Sequence, residues 1–254
     1  MIDLLLLIIC VFALLLLFFR RWSLMEKGHL FGRMVFKRGH SAPKPMTKED
    51  HEVTTKEMIP DQSKVHPKLI VKGDNLFKKA EQEFKKGNIT DAEKHYIKAI
   101  AMNPAHLEAH AKLGAIYLNQ EQFSKAELIY STLVLAVADN PVYFSNLGLS
   151  LFQQEKYEEA KDFYEKAIAL DSGRPGRFYS LARINQLLGD MDNAFLNVQK
   201  ALNLDPDNLD YGLTLANWYV ENGLNAEAKG ILENIIQHWP ENAEAKDLMK
   251  EIGG

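Results

Sequence analysis

Cysteine is almost missing from this sequence: the single one is Cys10. No disulfide can form within the chain, and no cysteine metal cluster can be built. The glycine-rich phosphate loops are missing too. There is no G-x-x-x-x-G-K-[ST] and no G-x-G-x-x-G ahead of a helix. Neither H-E-x-x-H nor G-x-S-x-G occurs, which removes the common zinc-protease and serine-hydrolase readings. His106 and His110 stand four apart, but without a nearby third ligand they read as packing or solvated residues rather than a metal site. Glu158, Glu159, Asp162 and Glu165 read as the solvated side of a helix, since nothing marks a desolvated cleft around them. No catalytic, cofactor or metal residue is therefore expected, and the chain is read as a non-enzyme.

Positive charge is scarce in one part of the chain. Residues 73–254 hold eighteen Lys or Arg against twenty-seven Asp or Glu, a balance of −9. Residues 20–72 hold twelve against six, a balance of +6, and residues 1–19 carry only Asp3. The total of −4 hides this contrast. An acidic C-terminal part argues against nucleic acid as its partner, because affinity for phosphate backbones needs clustered Lys and Arg.

What the sequence has in abundance is repetition. From Gly73 to Asn242 one unit of 34 residues is written five times, starting at Gly73, Leu107, Pro141, Pro175 and Leu209. The eighth place of the unit is small: Ala80, Gly114, Gly148, Ala182 and Ala216. The twentieth is alanine throughout: Ala92, Ala126, Ala160, Ala194 and Ala228. The twenty-fourth is Tyr96, Tyr130, Tyr164, Val198 and Leu232, and the thirty-second is proline in three units, as Pro104, Pro206 and Pro240. Small residues let two helices approach closely, and the larger residue at place 24 fills the remaining gap. Proline stops the second helix because it lacks an N–H and clashes with the preceding turn. A strict period of this length marks a solenoid.

The first helices are predicted near 73–86, 107–120, 141–154, 175–188 and 209–222. The second helices are predicted near 89–102, 123–136, 157–170, 191–204 and 225–238. Gly87, Gly189 and Gly223 fall in the intervening turns, where a residue free to take positive φ ends a helix. Residues 243–252 would form a polar capping helix.

This pattern resembles the tetratricopeptide repeat. The resemblance implies an all-α, right-handed superhelical solenoid of five helix-turn-helix repeats, 73–106, 107–140, 141–174, 175–208 and 209–242, closed by a capping helix over 243–254. At place 4, often tryptophan in the family, stand Leu76, His110, Phe144, Phe178 and Gly212. Gly212 leaves the packing of the fifth unit open. The family also implies a concave face, lined by the first helices, that binds protein or peptide. Its groove places fall on Phe77, Glu81 and Phe84, then Ala111, Ala115 and Leu118. The third unit gives Ser145, Asn146, Leu149 and Phe152, the fourth Tyr179, Arg183 and Gln186, and the fifth Leu213, Asn217 and Val220. Any of the apolar ones can equally pack between repeats. The lysine-and-asparagine clamp by which some members grip chaperone C-termini is absent: Phe77, Glu81, Val142 and Asn146 stand at its places.

Ahead of the repeats, Leu4 to Phe19 is uninterrupted apolar sequence. Nineteen helical residues reach about 28 Å, close to the ~30 Å of a hydrocarbon core. Asp3 before the run and Arg20-Arg21-Trp22 after it favour an uncleaved transmembrane anchor over residues 1–21, against a signal peptide, which needs the opposite flanks. The basic flank predicts cytoplasmic repeats, and the layout is similar to bacterial inner-membrane tetratricopeptide proteins. Residues 22–40 interleave apolar and basic side chains and read either as an amphipathic helix on anionic lipid or as a short connector. Residues 41–72, with four prolines among them, read as a flexible linker. The function expected is a membrane-anchored protein–protein interaction adaptor; the alternative is a scaffold in which the repeats self-assemble.

Overall fold

The chain divides into two compact units, Met1–Glu52 and Val53–Gly254. The computed structural model describes residues 62–253, all within the second. The expected anchor over 1–21, the segment over 22–40 and most of the linker lie outside the described residues. Among the described residues no helix is long and apolar enough to cross a membrane.

The described residues are all-α, with a short 3-10 turn at Gln62–Lys64 followed by eleven α-helices and no strand. First helices are α1 (Pro67–Lys85), α3 (Leu107–Asn119), α5 (Pro141–Phe152), α7 (Pro175–Leu187) and α9 (Leu209–Glu221). Second helices are α2 (Ile89–Met102), α4 (Phe123–Ala136), α6 (Tyr157–Leu170), α8 (Met191–Leu204) and α10 (Asn225–His238). The closing helix α11 runs Ala243–Gly253. Each helix packs chiefly on the helices before and after it in sequence, as in a solenoid.

Every second helix ends at place 30, where the sequence put it. It ends there in the two units without proline as well, at Ala136 and Leu170. Proline at place 32 is thus compatible with the stop but not its only cause. The residue at place 31 is extended in all five units, with φ between −125° and −153° at Trp239, Asn103, Val137, Asp205 and Asp171. The first helices depart from expectation at their ends, which fall one or two residues early at Lys85, Asn119, Phe152, Leu187 and Glu221, and at one start. Helix α1 begins at Pro67 rather than near Gly73, so residues 67–72 are helical and not linker. Pro67 read as a linker proline, but it occupies the first helical turn, where its missing N–H costs nothing.

The five places marked small are the tightest points of the core. Ala92, Ala126, Ala160, Ala194 and Ala228 have no exposed surface, and Tyr96, Tyr130, Val198 and Leu232 are equally enclosed. At Gly148 a β-carbon would lie 2.8 Å from Cδ2 of Tyr164, and at Gly114 it would lie 2.9 Å from Cε2 of Tyr130. Glycine there makes room for the tyrosine ring. The fourth and fifth units pair the opposite sizes, Ala182 with Val198 and Ala216 with Leu232. Gly212 is explained in the same way. Place 27 is Ala99, Ala167 and Ala201 in three units, but Ile235 in the fifth, and its Cδ1 would lie 3.1 Å from a β-carbon on Gly212. The bulk missing at place 4 is supplied from place 27.

Two turns break the glycine rule. Gly87, Gly189 and Gly223 have φ of 82°, 80° and 73°, and the same place holds Glu121 and Glu155 at φ 57° and 61°. A non-glycine residue in this left-handed region costs about 1–2 kcal/mol. Glycine offsets part of that relief by its larger unfolded-state entropy, about 0.5–1 kcal/mol. Glu121→Gly and Glu155→Gly are each expected to stabilise the repeats by ~0.5–1 kcal/mol, read as a higher urea midpoint with an unchanged slope. Gly148→Ala is expected to cost ~1–3 kcal/mol in the same assay, more than the ~1 kcal/mol that alanine gains as a helix former. Made on top of Tyr164→Val, which recreates the Ala182–Val198 pairing, it should cost nothing further; an unchanged cost would show that the two places are not coupled.

Candidate functional site: the face of the first helices

The first helices of neighbouring units meet through side chains, so their outward places form one face. Arg177 Nε on α7 donates to Ser145 Oγ on α5 at 2.8 Å. The Arg183 guanidinium lies 5.4 Å from the ring centre of Phe152. The hydroxyls of Tyr179 and Thr214 are 3.0 Å apart, joining α7 to α9, and Asn217 Nδ2 donates to Glu244 Oε1 on α11 at 2.9 Å.

The sixteen places expected to line this face divide by what the fold already asks of them. Glu81 accepts a hydrogen bond from the Tyr96 hydroxyl and lies 3.6 Å from Lys112 Nζ. Phe77 packs against the Tyr96 and His106 rings, with centroids 5.7 and 4.6 Å away. Ser145 holds Arg177 and donates to the Pro141 carbonyl. Asn146 lies within hydrogen-bond reach of the Tyr130 hydroxyl. Tyr179 also packs on Tyr211 at 4.7 Å, and Asn217 is bonded to the closing helix. Ala111 is half-buried against the core. Leu213 is a correction: it is buried in the cluster of the fifth unit with Ala216 and Leu232, because its place there faces α10 and α11 rather than solvent. Phe84, Ala115 and Arg183 are exposed, and Leu118, Leu149, Phe152, Gln186 and Val220 are partly so. These eight present surface that the fold does not consume.

A groove of about 390 Å3 opens on this face between α5 and α7. Ser145, Asn146 and Leu149 form one side, and Arg174, Pro175, Gly176, Arg177 and Ser180 the other, with Tyr164 between them. Arg174 and Arg177 were not among the expected residues. Their signal in the sequence is composition: Arg174, Arg177 and Arg183 are all the arginines of residues 73–254. A larger groove, about 440 Å3, lies on the second-helix side between α8 and α10. It follows from Gly212 and Gly230 and is bordered by neutral side chains such as Leu202, Asn203, Ile231, Asn234 and Trp239.

Place 24 carries more than packing. Burial pushes the Tyr130 phenol up to about 12, only partly opposed by Asn146. Burial likewise raises Tyr164, against Ser180 and Arg183, and it raises Tyr96 with the help of the Glu81 carboxylate. Each ring thus crosses the core and brings a hydroxyl to the first-helix face. The two histidines have structural duties. His106 Nδ1 accepts from the Ala109 amide, and buried His110, its basicity lowered by burial, bonds the His106 carbonyl. No group of three possible metal ligands occurs among the described residues.

Models of the tetratricopeptide repeat match residues 83–147 and 187–252, just over half of the 254 residues, and a second such model matches 141–173. The chain belongs to the tetratricopeptide repeat family. Its repeats share their fold with the crystal structure of MamA, at TM-score 0.63 and 20% identity over 68% of this chain and 94% of that one. They also match YrrB, a repeat protein with an unusual peptide-binding site, at TM-score 0.60 and 19% identity over 69% and 90%. Among curated relatives, anaphase-promoting complex subunit 3 of Schizosaccharomyces pombe is 26% identical over 50% of this chain and 18% of its own length. The Hsp70-Hsp90 organising protein of Plasmodium falciparum is 22% identical over 66% of this chain and 29% of its own. The chain spans less than a third of the length of either.

Because the neutral phenol is the form the fold favours, the Tyr130 contribution is complete below its unfolded value near 10 and is lost as pH rises toward about 12. Alkaline titration followed by tyrosinate absorbance should therefore show a late group that ionises together with loss of helix. Tyr130→Phe should remove part of that pH dependence. An unaltered profile would place the alkaline loss elsewhere.

Proposed function

We propose that this protein is a non-enzymatic adaptor that recruits or assembles a partner protein on the first-helix face of its repeats. Proteins of the tetratricopeptide repeat family mediate protein–protein contacts, and the observation that carries the reading here is the open α5–α7 groove. It is bordered by exposed Arg174 and half-exposed Leu149, with Phe152 and Arg183 continuing the same face. In this reading the apolar run Leu4–Phe19 holds the chain in a membrane with the repeats on the cytoplasmic side, a bacterial inner membrane by the resemblance of the layout. The basic residues of 22–40 then lie against anionic lipid, while the acidic repeats are repelled from it.

A photo-crosslinking amino acid placed singly in the full chain in its native membrane tests the face. Positions Phe84, Leu118 and Val220 sample the first helices, and exposed Leu128, Leu135 and Leu196 the second. Crosslinks to one protein from the first set and not the second are expected. The reverse pattern would overturn the assignment, and crosslinks from the first set to another copy of this chain would replace the adaptor with a self-assembled scaffold.

A further inference from the structure

The junction of the third and fourth units departs from its surroundings in the kind of cation it carries. Residues 73–254 carry an excess of nine negative charges and draw fifteen of their eighteen cations from lysine. All three arginines fall within ten residues, from Arg174, which precedes α7, to Arg183 in its second half. Arginine differs from lysine by its planar fork, which meets an oxyanion through two parallel hydrogen bonds.

The three guanidiniums are held differently. Arg177 is 7% exposed. Its Nε donates to Ser145 Oγ, and its Nη1 donates to the Asp171 carbonyl at 2.5 Å and to Asp171 Oδ2 at 2.7 Å. These bonds leave Nη2 unused on a side chain that lines the groove. Arg174 is exposed and Arg183 rests on the Phe152 ring; among the described residues, neither lies within ion-pair distance of a carboxylate. Among the described residues, Asp171 is thus the one carboxylate within ion-pair distance of any of the three. The same spot also lacks a helix cap. His106, Asn140, Asn208 and Asn242 each accept from backbone amides at their helix starts, but Arg174 at the corresponding place has no acceptor. Gly176, the second residue of α7, adds no side chain in front of it.

We propose that the groove between α5 and α7 recognises an acidic peptide segment of the partner, through carboxylates received by Arg174, Arg177 and Arg183. The inference rests on the first-helix face being the binding surface and adds the chemistry of the ligand. Arg183 stands nine positions after Arg174, roughly 13 Å along the helix axis. One carboxylate covers only a fraction of that distance, so the ligand carries at least two. Asp171, beside Arg177, repels a phosphate dianion more strongly than a monoanionic carboxylate, which favours Asp or Glu. Leu149 lines the groove and Phe152 lies under Arg183, and these two receive the apolar parts of the segment.

The full chain in detergent, titrated by calorimetry with N-acetylated, C-amidated tetraglutamate, is the test. Tetraglutamate should bind and tetraglutamine should not. Added salt should weaken the binding, and Arg174→Gln with Arg183→Gln should lower affinity at least about tenfold. Both side chains are exposed, so circular dichroism of the double variant should be unchanged. Equal binding of the two peptides, no binding of either, or full affinity in the folded double variant would overturn the proposal. Tighter binding of a phosphoserine peptide would overturn the carboxylate assignment. If first-helix crosslinks are found but tetraglutamate does not bind, the face stands and this ligand falls.

Discussion

The close approach of the two helices within each unit is the constraint on which the rest of the solenoid depends. It is set at one contact, between the small residue at place 8 and the side chain at place 24 of the same unit. At Gly148 the margin is less than one methyl group, since a β-carbon would sit 2.8 Å from the Tyr164 ring. Interiors packed at crystal-like density leave no slack to absorb such a change. The spacing of one pair therefore fixes where the next unit can dock, and any error would be repeated along the array.

The same contact places the candidate face. Because the place-24 ring is driven between the helices, its hydroxyl emerges on the far side, where neighbouring first helices meet. Tyr96 reaches Glu81, Tyr130 lies near Asn146 and Tyr164 near Ser180. These hydroxyls engage Glu81 and Asn146; contacts between neighbouring first helices, the closing helix and the core engage the other expected groove residues that are not free. Surface left for a partner is what remains after the units have been tied together. Beside the α5–α7 groove it includes Leu149, Phe152 and Arg183.

The fold was legible because its determinants are local and periodic. Second-helix limits agree with expectation to the residue, since the unit length leaves no freedom of register. Two features were not legible for physical reasons. Pro67 carries the same letter in a linker and in a first helical turn, and only the docked helix distinguishes them. Gly212 looked like a defect because its compensation lies twenty-three residues away at Ile235, a relation visible only once α9 and α10 are packed. The candidate site was less legible than the fold. Family places located the face, but they could not separate Leu213, which is core, from Val220, which is open. They also passed over Arg174 and Arg177, which lie outside the family's groove places.

Those arginines bear on how an acidic solenoid can select a partner. The charge is uneven along the array: the first unit holds six lysines against five carboxylates, whereas the third holds four cations against six and the fifth one against five; such fields are screened over about 8–10 Å at physiological salt. In the proposed reading an acidic segment lands on the arginines where the fourth unit begins, and the acidic third and fifth units on either side disfavour a shift along the array. Specificity then comes as much from repulsion as from attraction. Replacing the lysines elsewhere would alter solubility and approach rate, whereas the fork geometry at Arg174, Arg177 and Arg183 sets the register. In this way the start of the fourth unit can differ from its neighbours in what it binds while keeping the helix-turn-helix fold that they share.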